Sequence, residues 1–170
     1  LHSGSMIYRR FGRTGLQMPV FSCGGMRYQQ SWTRDAPVSA QSQTHLEATI
    51  DRALALGINH IETARGYGTS EQQLGPALAR HPRDSFILQT KIQAVDDPKQ
   101  FAENLEDSFR RLGVAHIDLL GIHGLNNARS CELALRVGGC LEVAERLRKQ
   151  GRVRHIGFST HAPTKSIVEA

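Results

Sequence analysis

The stretch that decides the fold is a short apolar run with a polar turn after it, Asn59-His60-Ile61-Glu62-Thr63-Ala64-Arg65-Gly66-Tyr67-Gly68. The run predicts a strand over 59–62, and the helical spacing of apolar residues that follows predicts a helix beginning at Ser70. Glu71 and Gln73 in the first turn of that helix resemble a capping box. The stretch therefore indicates strand, turn and helix, with an acid and a phenol at the carboxyl end of the strand.

The same unit repeats along the chain. Further strands are predicted over 20–23, 85–90, 117–122 and 154–158. Helices are predicted over 44–56, over 98–112, around 141–147 and from Thr164 onward, and a hairpin is predicted over 7–19. Gly57, Gly113 and Gly151 are expected to end the helices before them. Such alternation predicts right-handed βαβ units and a parallel sheet.

Two α/β architectures compete for this pattern. A doubly wound sheet requires a glycine-rich phosphate turn after its first strand. Here Gly24-Gly25-Met26 leads into a polar loop, and G-x-G-x-x-G is absent. A (β/α)8 TIM barrel places reactive side chains at the carboxyl ends of several strands, where the unusual residues of this chain fall. We therefore predict the first five βα units of a TIM barrel, preceded by an N-terminal β-hairpin.

Composition narrows the class of protein. Apolar residues make up 39% of the chain and charged residues 22%, which is typical of a globular protein. The net charge of +5 is spread thinly, so Arg110, Arg111 and the other arginines are expected to form a solvated face, with neither nucleic acid nor membrane as a partner. The cysteines, Cys23, Cys131 and Cys140, share no C-x-x-C spacing, which fits a reduced, cytoplasmic protein.

The histidines separate into two groups. His60, His116 and His155 precede their strand cores, so we expect them to pack at the bottom of the barrel. His123 and His161 follow strands and should lie at the top, although His161 is more simply a loop residue. No His-x-His follows the first strand, so a metal-dependent hydrolase is disfavoured and no metal site is predicted.

Four residues near successive strand ends could together reduce a carbonyl group. The carbonyl oxygen needs a proton and hydrogen-bond donors as hydride reaches the carbon. Tyr67 can supply the proton if the ammonium of Lys91 lowers the phenol's pKa from near 10. Glu62 can anchor Lys91, and His123 can orient the carbonyl. Each residue alone is more often structural, but their joint placement indicates a reductase site.

Several motifs together resemble those of the aldo-keto reductases. They are Tyr8-Arg9-Arg10-Phe11-Gly12-Arg13-Thr14-Gly15-Leu16, Gly57 to Ala64, Tyr67-Gly68-Thr69-Ser70-Glu71, Thr90-Lys91, Ser108 to Gly113, Ile117-Asp118-Leu119-Leu120 and Gly151 to Ser159. The resemblance implies an NADPH-linked reductase of a small carbonyl substrate, with NADH as the other possible cofactor. It places Tyr67, Lys91 and His123 on the family's catalytic positions, and Glu62 where the family usually has aspartate.

The resemblance also implies where the nicotinamide end of the cofactor would bind. Gly25 and Met26 would lie under the cofactor, and Ser159 would contact the carboxamide. Thr160 takes a position at which the family often has asparagine. The chain is similar to a bacterial subgroup whose barrel is followed by a ferredoxin-like iron–sulfur region, which this sequence does not contain.

Two expectations concern the chain as a whole. Residues 1–5, ahead of Met6, are interpreted as a remnant of cloning, and residues 6–170 as a barrel domain that is incomplete at its C-terminus. Five strands cannot close an eight-stranded barrel, so an isolated natural fragment should aggregate, dimerise or partly unfold. We favour the other interpretation, that the chain is part of a longer natural protein. The alternative function is a nucleotide-binding regulatory or interaction subunit with little turnover. The oligomeric state is not predicted.

Overall fold

The computed structural model describes residues 6–169. The strands are β1 Tyr8–Arg10, β2 Gln17–Pro19, β3 Cys23–Gly24, β4 His60–Glu62, β5 Ile87–Gln93, β6 Ile117–His123 and β7 Val153–Phe158. The helices are α1 Ala40–Ala55, α2 Ser70–Leu78, α3 Pro98–Leu112, α4 Ala128–Leu135, α5 Cys140–Lys149 and α6 Thr164–Glu169. No helix within this described range is both long enough and apolar enough to cross a bilayer.

The main sheet has the topology of a barrel wall. Strands β3 to β7 lie side by side in chain order, every neighbouring pair is parallel, and at least one helix follows each strand. Strands β1 and β2 form a separate antiparallel hairpin. The predicted α/β fold, five βα units of a TIM barrel with an N-terminal hairpin, is confirmed.

The core lies between the sheet and its helices. It joins outward-facing strand residues to the apolar faces of α1, α2, α3 and α5, and its large members include Leu46, Ile50, Ile61, Leu74, Leu88, Phe101, Leu105 and Leu120. Each such side chain contributes about 1.5–3 kcal/mol when fully buried. This layer holds the strands rigidly and leaves their carboxyl ends free to present polar residues.

The helix ends follow local capping chemistry. The hydroxyl of Ser39 accepts a hydrogen bond from the N–H of Ser42, so α1 begins at Ala40, earlier than the predicted Thr44. Asp97 caps α3 through the N–H of Lys99, and Gly113 ends that helix in the left-handed conformation, as predicted.

Other elements also differ from the predictions. The first strand of the sheet is two residues long instead of 20–23, because the N–H of Val20 bonds to Ile7 beside the hairpin. Strand β5 begins later because Arg83–Ser85 forms a 3-10 turn. Helix α4 was not predicted, although Asn127 caps it with a reciprocal pair of hydrogen bonds to Ser130.

The predicted capping box at the start of α2 is wrong. Glu71 is buried and accepts hydrogen bonds from the hydroxyls of Thr90 and Ser108 instead of returning to the helix N-terminus. Gln73 is also buried, and it accepts a hydrogen bond from the backbone N–H of Gln30. Both side chains join α2 to neighbouring elements, because a buried polar group must find a partner wherever one is packed.

Candidate active site

Three adjacent strands bring the four predicted catalytic residues to one edge of the sheet. Glu62 is the last residue of β4, His123 is the last residue of β6, and Tyr67 lies in the loop between β4 and α2. Lys91 was expected just past a strand end, but it lies inside β5, two residues before Gln93. Parallel strands align their carboxyl ends, so residues far apart in the sequence become neighbours here.

The ammonium group of Lys91 is held from two sides. Its Nζ contacts the carboxylate of Glu62 and donates a hydrogen bond to the carbonyl oxygen of Thr63 at 3.0 Å. Gly121 stands opposite Lys91 in the β5–β6 register, and a Cβ there would come within 2.8 Å of the Lys91 Cγ. The missing side chain on β6 therefore leaves room for the lysine stem to reach Glu62.

The ring of Tyr67 lies against Lys91, His123 and Trp32. The Lys91 Nζ is 4.8 Å from the Tyr67 ring centroid, over the face of the ring. The His123 ring meets Tyr67 edge-on, with centroids 5.7 Å apart and an interplanar angle of 86°. Trp32 also meets Tyr67 edge-on, at 6.4 Å. The phenol is thus bounded by a cation and two aromatic rings.

Burial sets the protonation states of these groups. It raises the pKa of the Tyr67 phenol, so the net shift is the opposite of the expected lowering, because removal of the phenol from water has the larger effect. Burial lowers the pKa of Lys91 to about 8. Burial, with repulsion from Lys91 and His161, also lowers the pKa of His123. At neutral pH the site holds a protonated phenol, a mostly protonated amine and a neutral imidazole.

His123 carries a polar atom without a partner. Its Nδ1 is buried and has no hydrogen-bond partner anywhere in residues 6–169. A Cβ on Gly66 would lie 3.9 Å from this nitrogen, at ordinary van der Waals distance. An unpaired acceptor nitrogen costs less than an unpaired buried N–H, which favours the tautomer with its proton on Nε2.

The chain matches the model of the aldo/keto reductase family over residues 21–170. It is a member of that family. A relative, L-glyceraldehyde 3-phosphate reductase of Escherichia coli strain K12, is 27% identical over 188 residues, which cover 98% of this chain and 49% of the relative. The chain spans about half the length of the curated relatives it matches.

Solved aldo-keto reductases share the fold. One from Bacillus halodurans, in its holo form, superposes with a TM-score of 0.77 and 27% identity, covering 96% of this chain and 53% of that protein. One from Bombyx mori, in complex with NADP, superposes with a TM-score of 0.66 over 91% of this chain and 50% of that protein. The second is 20% identical, so its likeness concerns the fold alone.

Ser159 and Thr160, two residues expected near the nicotinamide, differ in whether their hydroxyl protons are free to donate a hydrogen bond. The Ser159 hydroxyl accepts a hydrogen bond from the N–H of Gly124 at 3.1 Å, which leaves its proton available as a donor. The Thr160 hydroxyl donates to the carbonyl of Leu125 and accepts from the N–H of Ala162. Both roles of the Thr160 hydroxyl are therefore used within the loop.

Gly25 and Met26 follow β3 at the same edge of the sheet. A Cβ on Gly25 would approach the Glu62 carbonyl oxygen to 2.6 Å, the Tyr28 hydroxyl to 2.7 Å and the Ser70 hydroxyl to 2.8 Å. Close approach within the chain itself therefore requires glycine here, whatever else binds nearby. Met26 is 37% exposed. Its role beneath a cofactor stays a prediction.

Sequence reasoning missed an ionic cluster beside the site. Arg111 was expected on a solvated face, but its side chain is 10% exposed and pairs with Asp107 and Asp35. Asp107 also accepts a hydrogen bond from Arg34, 73 residues away, and contacts Arg65 in the loop that carries Tyr67. No local pattern connects residues so far apart, so only the packing of α3 against these loops reveals the cluster.

The remaining histidines lie apart from the four-residue cluster. His60, at the start of β4, shares hydrogen bonds with the Ser22 hydroxyl and the Gln89 side chain, consistent with the expected structural role. His161 is exposed, and only its charge is felt at His123. Within residues 6–169, no group of three or more His, Cys, Asp or Glu side chains is arranged to hold a metal ion.

Proposed function

We propose that this aldo/keto reductase reduces a small aldehyde or ketone to an alcohol with NADPH, and that Tyr67 is the general acid. One observation supports this most strongly: the Lys91 ammonium, in contact with Glu62, lies over the Tyr67 ring beside His123. The family relationship supports the reaction class in general. The name of the E. coli relative, a reductase of a phosphorylated aldehyde, is consistent with a carbonyl substrate.

The proton path uses the chain's own residues. NADPH, when bound, supplies the hydride that reaches the carbonyl carbon. The Tyr67 hydroxyl gives its proton to the carbonyl oxygen, which becomes the alcohol, and the tyrosinate left behind takes a proton from solvent. The Lys91 charge stabilises that tyrosinate as it forms. Glu62 holds the Lys91 Nζ in place, so the charge does not have to be reorganised during the step.

The neutral imidazole of His123 orients the substrate. Because its pKa is lowered, it carries one N–H and no charge at neutral pH, and with Nδ1 unprotonated the N–H is on Nε2. This N–H donates a hydrogen bond to the carbonyl oxygen and holds it near the Tyr67 hydroxyl. A neutral imidazole N–H donates a hydrogen bond but does not replace Tyr67 as the source of the proton.

The residues present fit the nicotinamide end of NADPH in part. Ser159 has a hydroxyl proton free for the carboxamide, whereas the Thr160 hydroxyl has none to spare. We therefore assign Ser159 the contact and give Thr160 the role of holding the loop. The choice of NADPH over NADH rests on the resemblance, and the Bombyx mori relative was solved with NADP.

The test is Tyr67→Phe, assayed with a panel of small aldehydes and ketones by loss of NADPH absorbance. Removing the acid should lower turnover by roughly a hundredfold or more. The dissociation constant for NADPH, from fluorescence titration, should stay nearly unchanged, because the phenol hydroxyl is not assigned to the cofactor. Tyr8→Phe is the matched control, since the Tyr8 hydroxyl bonds to Gly57 beside the hairpin.

Two results would contradict the proposal. Turnover by Tyr67→Phe equal to that of the parent would remove the tyrosine from the mechanism. Tight nucleotide binding by the parent without measurable turnover of any carbonyl would favour the alternative, a nucleotide-binding regulatory or interaction subunit.

A further inference from the structure

The loop between β3 and α1, residues 25–39, lies directly on the loop that carries Tyr67, residues 63–69; we call them the strap and the Tyr67 loop. The N–H of Thr69 donates to the carbonyl of Ser31, and the Thr69 hydroxyl accepts from the N–H of Gln30. A Cβ on Gly68 would come within 1.9 Å of the Ser31 carbonyl oxygen. The two backbones are therefore in direct contact.

Asp107, on α3, joins both loops to the barrel. Its carboxylate accepts a hydrogen bond from Arg34 of the strap at 2.6 Å and contacts Arg65 of the Tyr67 loop. Arg111, one turn further along α3, donates to the same carboxylate through Nε at 3.0 Å. Although burial alone would raise the pKa of Asp107, the surrounding guanidinium groups hold it well below its usual range. The carboxylate thus stays charged between cations from three elements.

Arg34 and Arg111 make further contacts that join the strap to the Tyr67 loop and to α3. Arg34 also donates through Nη1 to the carbonyl oxygen of Arg65 at 2.8 Å, so the strap touches the Tyr67 loop two residues before Tyr67. Arg111 donates to the carboxylate of Asp35 at 2.6 Å, which fixes the strap to α3 a second time. Each of these two guanidinium groups donates to two different partners, so its orientation is fixed as well as its position.

The aromatic pair at the site, Trp32 and Tyr67, lies on the two loops that these contacts join to α3. Trp32 is 61% exposed and Tyr67 only partly buried, so burial in the core does not hold either ring. Both rings extend from the backbone segments that Arg34 and Arg65 tie to α3. We propose that Asp107 is a positioning residue, which holds Tyr67 and Trp32 in their mutual geometry through Arg65 and Arg34. The proposal deepens, and for its kinetic part rests on, the proposed function.

The test is Asp107→Asn, which keeps the shape of the side chain and removes the charge. Trp32 is the single tryptophan of the sequence, so its fluorescence reports on the strap alone. The amplitude of the fast component in its anisotropy decay should rise roughly twofold as the strap gains nanosecond motion. The kcat for carbonyl reduction should fall roughly tenfold to a hundredfold from misplacement of Tyr67. The Kd for NADPH should stay the same, and Asp107→Glu should restore most of both signals.

Glu106→Gln is the matched control. Glu106 is the neighbouring residue on α3 and pairs with Arg152 ahead of β7, away from the strap. It should leave the Trp32 anisotropy and kcat at parent values. Equal anisotropy and kcat in Asp107→Asn and the parent would overturn the proposal, and so would an equally large change in Glu106→Gln.

Two further measurements separate the remaining outcomes. If Asp107→Asn loses its far-ultraviolet circular dichroism, Arg34→Met decides the question, since it removes the strap's own contact with Asp107 and leaves the other arginines on Asp107. An unchanged Trp32 anisotropy in Arg34→Met would then reject the proposal. If the parent shows no turnover but Asp107→Asn frees Trp32, the proposed function fails and the positioning role of Asp107 stands.

Discussion

Lys91 carries its charge at a nearly buried position, where Glu62 and the Thr63 carbonyl compensate part of the cost of burial. Burial still lowers its pKa to about 8, so the ammonium is lost within the range accessible to kinetics. In the proposed reaction the positive charge stabilises the Tyr67 tyrosinate below that pH, and above it that stabilisation disappears. A single lysine therefore sets the alkaline limit of the proposed reaction.

We predict that kcat falls as the pH rises through about 8. Glu62→Gln should move this limb to lower pH, because loss of the carboxylate disfavours the ammonium. Lys91→Met should remove the limb and slow the reaction roughly a hundredfold. The measurement is a pH profile of kcat, with Lys149→Met, an exposed lysine at the end of α5, as the control. A limb that persists in Lys91→Met would assign the titration to another group.

At the scale of the element, the register of three strands decides whether the lysine fits. Lys91 of β5 stands opposite Gly121 of β6, which in turn stands opposite Gly157 of β7. A Cβ on Gly121 would press on the Lys91 Cγ, whereas a Cβ on Gly157 would meet nothing within 4 Å. Two glycines in neighbouring strands thus face different surroundings.

We predict that Gly121→Ala lowers the free energy of unfolding by about 1–3 kcal/mol, because the lysine stem or the strand must shift to relieve the contact. Gly157→Ala should change it by less than about 1 kcal/mol, because its methyl group enters open space. Denaturant unfolding followed by circular dichroism measures both variants. Equal stability in the two would show that β6 adjusts freely beside Lys91.

At the scale of the whole molecule, one buried and two partly buried histidines link the stability of the fold to pH. Burial lowers the pKa of His60, His116 and His123 below 6.5. Between those values and 6.5 the unfolded chain binds more protons than the folded one, so these groups destabilise the fold as the pH falls below 6.5. Glu71 has the opposite effect on stability. Burial raises its pKa, so as the pH falls the folded state binds this proton at a higher pH than the unfolded chain does, and the fold is stabilised.

We predict that His60→Gln makes the fall in thermal midpoint between pH 7 and pH 5 shallower than in the parent, because one buried group that takes up a proton on unfolding is removed. The lost hydrogen bonds to Ser22 and Gln89 should also lower the midpoint at pH 7. His45→Gln, an exposed site on α1, should leave the slope at its parent value. The same slope in parent and His60→Gln would exclude His60 as a source of the pH dependence.

The sequence by itself determined the features that short-range physics controls. Apolar spacing predicted the alternation of strands and helices, and Asp97 and Gly113 marked both ends of α3 correctly because caps depend on neighbouring residues. Once the sheet was parallel, Glu62, Tyr67, Lys91 and His123 had to meet, since parallel strands share one carboxyl edge.

Only the tertiary structure decided what depends on contacts between distant segments. Asp107 pairs with arginines from two loops and from its own helix. Glu71 is buried between Thr90 and Ser108. No local sequence pattern connects the residues of either group. The direction of the pKa shift at Tyr67 was likewise set by burial. Charge pairing and desolvation act through space, so they follow the packing of the chain and not the order of its residues.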